Sequence, residues 1–162
     1  MKNKIWKSKA YKNTKVDYVK SQSAISKLLQ INGINDKQFT EREGRSTITF
    51  LKDLVVEGSK MKVGVKIILP DVTEQTRNQL YRALFYYLKA KFESLTFGFV
   101  EEYNEAFVKE FMPYLIADKQ GRTVADIVLP KFNQAIEHTK SGEQLYLNAP
   151  SEFQSDDTHN SS

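Results

Sequence analysis

The chain has 162 residues, 40% apolar and 27% charged, with a net charge of +4 and no cysteine. That length suffices for one globular core. The composition excludes disulfides, thiolate nucleophiles and thiolate metal sites, and no apolar run approaches the roughly 20 residues that span a bilayer.

The charge is unevenly placed. Residues 1–20 carry seven lysines against Asp17, residues 151–162 carry three carboxylates, and residues 21–150 are within one charge of neutral. The basic character therefore belongs to an arm, and a basic-domain argument for nucleic acid is correspondingly weakened. The opening MKNKIWKSKAYKNTK is basic with no apolar stretch behind it, unlike a secretory signal. A cytoplasmic location is expected.

Residues 1–20 lack periodicity and read as a flexible basic arm. A short helix over 22–32 follows, with Ile25, Leu28 and Leu29 at helical spacing, a cap at Ser21 or Ser23, and Gly33 as its stop. Next comes an antiparallel hairpin. Ile48 and Phe50 share one face of its first strand. Met61, Val63, Val65, Ile67 and Leu69 share one face of its second, and Glu57–Lys60 is the turn. Pro70 ends that strand, and Asp71 with Glu74 suggests a capping box.

Two longer helices are predicted, over about 72–95 and 99–116, parted at Gly98 and packed antiparallel on the hairpin. In the second, Val100, Tyr103, Phe107, Phe111 and Leu115 recur at helical spacing, and Pro113 strains the last turn. Asp118–Gly121 is a turn. Thr123 to Asp126 is a cap opening a short helical piece that stops near Pro130. The fold class is α+β, with a single domain over 21–140 and a polar tail over 141–162 expected to be disordered.

The stretch RNQLYRALFYYLKAKFE, residues 77–93, mixes four basic and five aromatic side chains. On a helical wheel Leu80, Tyr81, Leu84, Phe85, Tyr87, Leu88, Phe92 and Leu95 form one apolar arc. Arg82, Tyr86, Lys89 and Glu93 lie opposite, either a solvated face or a phosphate-contacting strip. Lys91 falls inside the apolar arc, where pairing with a carboxylate of the next helix is expected.

Little else points to chemistry. The two histidines, His138 and His159, are not spaced for metal ligation, and no nucleotide-binding glycine motif occurs. Glu101, Glu102 and Glu105 read as surface charge rather than an acid–base pair. No catalytic residue, metal or cofactor is expected. Gly121-Arg122-Thr123 is an ordinary turn or an anion contact. Lys62 and Lys66 share a sheet face with Thr47 and Thr49, but without the exposed aromatics of an RNA-binding sheet.

From Arg82, Tyr86 and Glu93 through Phe111-Met112-Pro113-Tyr114-Leu115 to Gly121-Arg122-Thr123, the middle of the chain resembles small uncharacterised proteins of phages and integrated mobile elements. That resemblance implies a mobile-element setting and no particular activity. Together these readings point to a non-enzymatic accessory protein that binds nucleic acid, or joins a nucleoprotein complex, weakly and salt-dependently. The expected contacts are Lys4, Trp6, Lys7, Lys9, Arg82, Tyr86, Lys89 and Arg122. The alternative is a protein–protein adaptor or inhibitor, possibly oligomeric, that uses Phe97, Phe99 and Tyr103.

Overall fold

The computed structural model describes residues 9–69, 72–97 and 103–140, the last three as backbone. The elements run α1 (Tyr18–Ile31), β1 (Lys37–Arg42), β2 (Arg45–Val56), β3 (Ser59–Leu69), α2 (Glu74–Ser94), α3 (Tyr103–Phe111), a 3-10 turn (Met112–Tyr114) and α4 (Val124–Lys140). The α+β class is as expected. The sheet has three strands rather than two, in the order β1-β2-β3 and antiparallel throughout.

Both hairpins turn on the same dipeptide, Glu43-Gly44 and Glu57-Gly58. All four residues have φ between 50° and 77°. Two consecutive positive φ values match the right-handed twist of the flanking strands, and glycine takes the second of them without steric cost. The β2–β3 register sets Ile48 opposite Ile67, Phe50 opposite Val65 and Leu54 opposite Met61. This is the inward face the alternation predicts. Phe50 and Val65 are fully buried, while Met61, near the turn, stays half exposed.

α1 begins at Tyr18, earlier than predicted. Its cap is Asp17, whose carboxylate accepts from Val19 N at 2.7 Å, and Ser21 is buried inside the helix. Its far end meets an unforeseen partner: Lys52, on the inward face of β2, donates to Asn32 O at 2.7 Å. A cation there complements the negative end of the helix. Desolvation lowers the Lys52 pKa, with neighbouring Asp53 opposing.

α2 is capped by Thr73 and Thr76 in reciprocal bonds; Asp71 of the expected capping box, with Pro70, lies outside the described residues. Leu80, Tyr81, Leu84, Leu88, Phe92 and Leu95 are buried as the wheel predicts. Tyr87 is an exception. It is 40% exposed because its hydroxyl turns to the rim and meets Tyr114 Oη at 2.7 Å.

The second long helix is shorter than expected. α3 ends at Phe111, and Pro113 is accommodated in the 3-10 turn that follows. Gly98, Phe99, Glu101 and Glu102 lie outside the described residues. Beyond the turn the chain straightens and Leu115 bridges to Val65 on the open edge of β3. Ile116 N donates to Gly64 O at 2.8 Å. A Cβ on Gly64 would come within 2.8 Å of Ile116 Cδ1, so that approach depends on a missing side chain.

The chain divides into two compact units, Met1–Asp126 and Ile127–Ser162, where the sequence reading expects one domain over 21–140. α4 opens on the predicted Thr123–Asp126 cap, with Thr123 N donating to Asp126 Oδ2 at 2.8 Å. It does not stop near Pro130, which lies inside the helix. In the second unit Val128, Leu129 and Phe132 are exposed. Among the described residues no helix is long and apolar enough to cross a membrane.

Candidate nucleic-acid interface

The α2 strip forms as the wheel places it, and the described part of the arm, from residue 9 onward, lies against α2. Ala10 O accepts from the buried Gln79 Nε2 at 2.6 Å, and Tyr18 N donates to Asn78 Oδ1 at 2.8 Å. Between these two anchors the Tyr11 ring stacks on Tyr86, with centroids 5.2 Å apart and planes within 9°. Such a pair contributes about 1 kcal/mol beyond its buried area.

Arg82 then closes over the same tyrosine. Its guanidinium lies 4.7 Å from the Tyr86 centroid, and Nη2 donates to Tyr86 Oη at 2.8 Å. Lys89 is exposed and pairs with Glu93 at 3.5 Å, an i,i+4 contact that contributes about a few tenths of a kcal/mol. Residues 9–17 are therefore anchored rather than free. Tyr86 is engaged by Tyr11 and Arg82 instead of being an open stacking platform. Lys9 and Lys12, on either side of Tyr11 in sequence, are exposed. Lys4, Trp6 and Lys7 lie outside the described residues.

Arg122 belongs to a different place. Asp118 gathers the turn, accepting from Gln120 N and Arg122 N at 3.0 Å each and pairing with Arg122 Nε. Desolvation pushes the Asp118 carboxyl up, but the Arg122 hydrogen bonds and charge, with Gln120 N, outweigh it and hold the group below the usual range. Lys66 Nζ donates to Gly121 O at 3.1 Å. Asp126 is also held low, chiefly by the Thr123 hydrogen bonds. No described contact joins this turn to Arg82, Tyr86 and Lys89.

Lys91 meets a carboxylate of the next helix, as expected. Its Nζ lies 2.9 Å from both Glu110 Oε1 and Glu110 O, and within 6 Å of three ring centroids, Tyr87 (4.8 Å), Phe111 (5.6 Å) and Tyr114 (5.8 Å). Burial, then the hydrogen bond and charge of Tyr87, push the Tyr114 phenol up to about 12, while the Lys91 charge pulls the other way. Because the folded value is raised, this group's stabilisation is complete below the ordinary value of 10.0 and is lost as pH climbs through about 12. Burial also raises the Tyr103 phenol, so an absorbance titration should show two tyrosines ionising late, Tyr114 at about 12. Tyr87→Phe, which removes the hydrogen bond, should bring the Tyr114 ionisation to lower pH.

Of the three glutamates singled out in the sequence, only Glu105 lies within the described residues. Glu105 is exposed and paired with Lys109 at 3.0 Å. Among the described residues no group of three or more His, Asp or Glu side chains is placed to hold a metal. No protein-family model, curated protein or solved structure matches the chain.

Two contributors escaped the sequence reading. Tyr11 stood among the arm aromatics with nothing in the local pattern to name its partner. Gln79 falls on the polar side of the wheel beside Tyr86, yet it is buried, because its amide donates to the arm backbone at Ala10 O.

Proposed function

We propose that this protein is a non-enzymatic accessory protein of a virus or mobile element that binds nucleic acid through its basic arm and the exposed face of α2. The Tyr11–Tyr86 stack is the observation that carries this reading, because it joins the arm and the Arg82/Lys89 strip on one surface. In this arrangement Tyr86 is the joint of the site. Lys9, Lys12, Arg82 and Lys89 supply the phosphate contacts, with Lys4, Trp6 and Lys7 extending them along the strand. Binding through such contacts is salt-sensitive and tolerant of sequence.

Fluorescence anisotropy with labelled single- and double-stranded DNA, titrated with salt, tests it. Arg82→Ala combined with Lys89→Ala should weaken binding evenly across sequences and reduce the salt slope by about 2. Tyr11→Ala should weaken binding without removing a charge, because it frees the arm from α2. Absence of binding at low salt, or an unchanged slope in the double variant, would sink the reading. A second reading, a protein adaptor or inhibitor, is favoured by the exposure of Phe97 at 72% and Tyr103 at 40%. Capture of a protein partner that Phe97→Ser abolishes, together with no DNA binding, would select it.

A further inference from the structure

β1 is an edge strand, and its backbone parity is fixed by its neighbour. Leu51 N donates to Asp36 O at 3.0 Å, so the peptide groups of Asp36, Gln38, Thr40 and Arg42 face β2. Those of Lys37, Phe39 and Glu41 face away from the sheet. Among the described residues no hydrogen bond reaches these three outward groups. An edge of this kind is a template for another strand.

The side chains say which strand. We propose that β1 pairs with β1 of a second copy of this chain, antiparallel, about a two-fold axis at Phe39. Reversed against itself around that residue, the segment DKQFTER (36–42) sets Asp36 opposite Arg42, Lys37 opposite Glu41, Gln38 opposite Thr40 and Phe39 opposite itself. Every charge meets its opposite, and both partners present the same patch, as a two-fold dimer requires. The parity agrees: the outward residues Lys37, Phe39 and Glu41 fall opposite one another, so each outward N–H meets an outward carbonyl.

Neighbouring registers lack this match. An axis at Gln38 places Phe39 opposite Lys37, and an axis at Thr40 places it opposite Glu41. A charged edge ordinarily wards off pairing; this one carries both signs in an order complementary to itself.

The join also continues the packed side of the sheet. Lys37, Phe39 and Glu41 share the face of Phe50, Ile48 and Ser46. Phe39 is half-buried, its ring 6.3 Å from Tyr81, and the second Phe39 covers its open side. Glu41 keeps its own α2 partner, Arg77, and gains Lys37 of the second copy. Exposed ion pairs of this kind select register more than they add affinity. The contact is narrow beside a standard interface of about 1,600 Å². The association is therefore weak and concentration-dependent.

Sedimentation velocity of the full chain over a concentration series tests this, with far-UV circular dichroism confirming that each variant folds. The wild-type chain should move from monomer to dimer. Lys37→Glu and Glu41→Lys should each dimerise about tenfold more weakly or worse, since each sets like charges opposite one another. An equimolar mixture of these two variants should recover dimers, because both cross-pairs are then of opposite charge. Lys37→Pro, which removes an outward N–H and leaves the ladder to β2 intact, should also remain monomeric. A wild-type chain that is monomeric at every concentration overturns the proposal. So does a dimer indifferent to these substitutions, or a mixture of folded variants that stays monomeric.

Discussion

Phe111→Ala should destabilise the fold by about 4 kcal/mol, measured by urea denaturation at neutral pH. Phe111 is fully buried at the end of α3 and touches three other rings. Phe107 stacks on it at 4.6 Å, Phe92 of α2 lies at 5.2 Å, and Phe50 of β2 meets it edge-on at 6.0 Å. One side chain therefore connects the sheet to both helices. The cavity left by truncation would be walled by rings on separate elements, which cannot all collapse into it. Domains of this size are stable by about 5–15 kcal/mol, so the variant should lose a large share of its stability. Phe111→Leu, which keeps most of the volume, should cost less than half as much. Equal losses for the two variants would contradict this account of the core.

Lys91→Ala ranks second, with an expected cost of about 3 kcal/mol. The lysine side chain is 13% exposed and Glu110 is 34% exposed. Removing the cation leaves a half-covered carboxylate and a carbonyl without their donor, and takes the charge from among three aromatic faces. The direction depends on the replacement. Lys91→Met restores apolar volume beneath Tyr87 and Tyr114, and paired with Glu110→Gln it leaves no unmatched charge. That double variant should cost about 1 kcal/mol or less. A double-mutant cycle read by urea denaturation measures the coupling, and additive single losses would show that the pair does not act as a unit.

These two positions also show what the sequence made legible. Phe111 and Lys91 were placed correctly because each has a signal within one or two turns of helix: an apolar residue at helical spacing, and a charge where only apolar neighbours stand. The β2–β3 hairpin was readable for the same reason, since alternation over eleven residues leaves little choice of face.

β1 gave no such signal. Its sequence KQFTER contains a single apolar residue, because an edge strand beside the ends of the core has little to bury. Its turn, Glu43-Gly44, nonetheless repeats the chemistry that identified Glu57-Gly58. Ser21 and Ser23 look like caps in the sequence, whereas Asp17 holds that position and Ser21 is enclosed. Pro130 looks like a stop, yet the helix continues past it.

The candidate interface divides along the same line. Arg82, Tyr86 and Lys89 could be assigned to one exposed face from periodicity alone. That Tyr11 covers Tyr86 is a contact between residues 75 apart in sequence, with no local pattern to report it. Gly121-Arg122-Thr123 reads as an ordinary turn or an anion contact; the pairing of Arg122 with Asp118 within that turn has no signal in the motif itself.

The two Glu-Gly turns have a consequence for how this chain tolerates change. Each strand reaches its partner across two residues, so closing either hairpin costs little chain entropy. A slip of one position would send Ile48 and Phe50 to the solvent side. Correct alignment is thus written into short neighbouring stretches, independent of the helices that later cover them. Mutational drift in α2 or α3 can alter what packs on the sheet without reopening how its strands are matched.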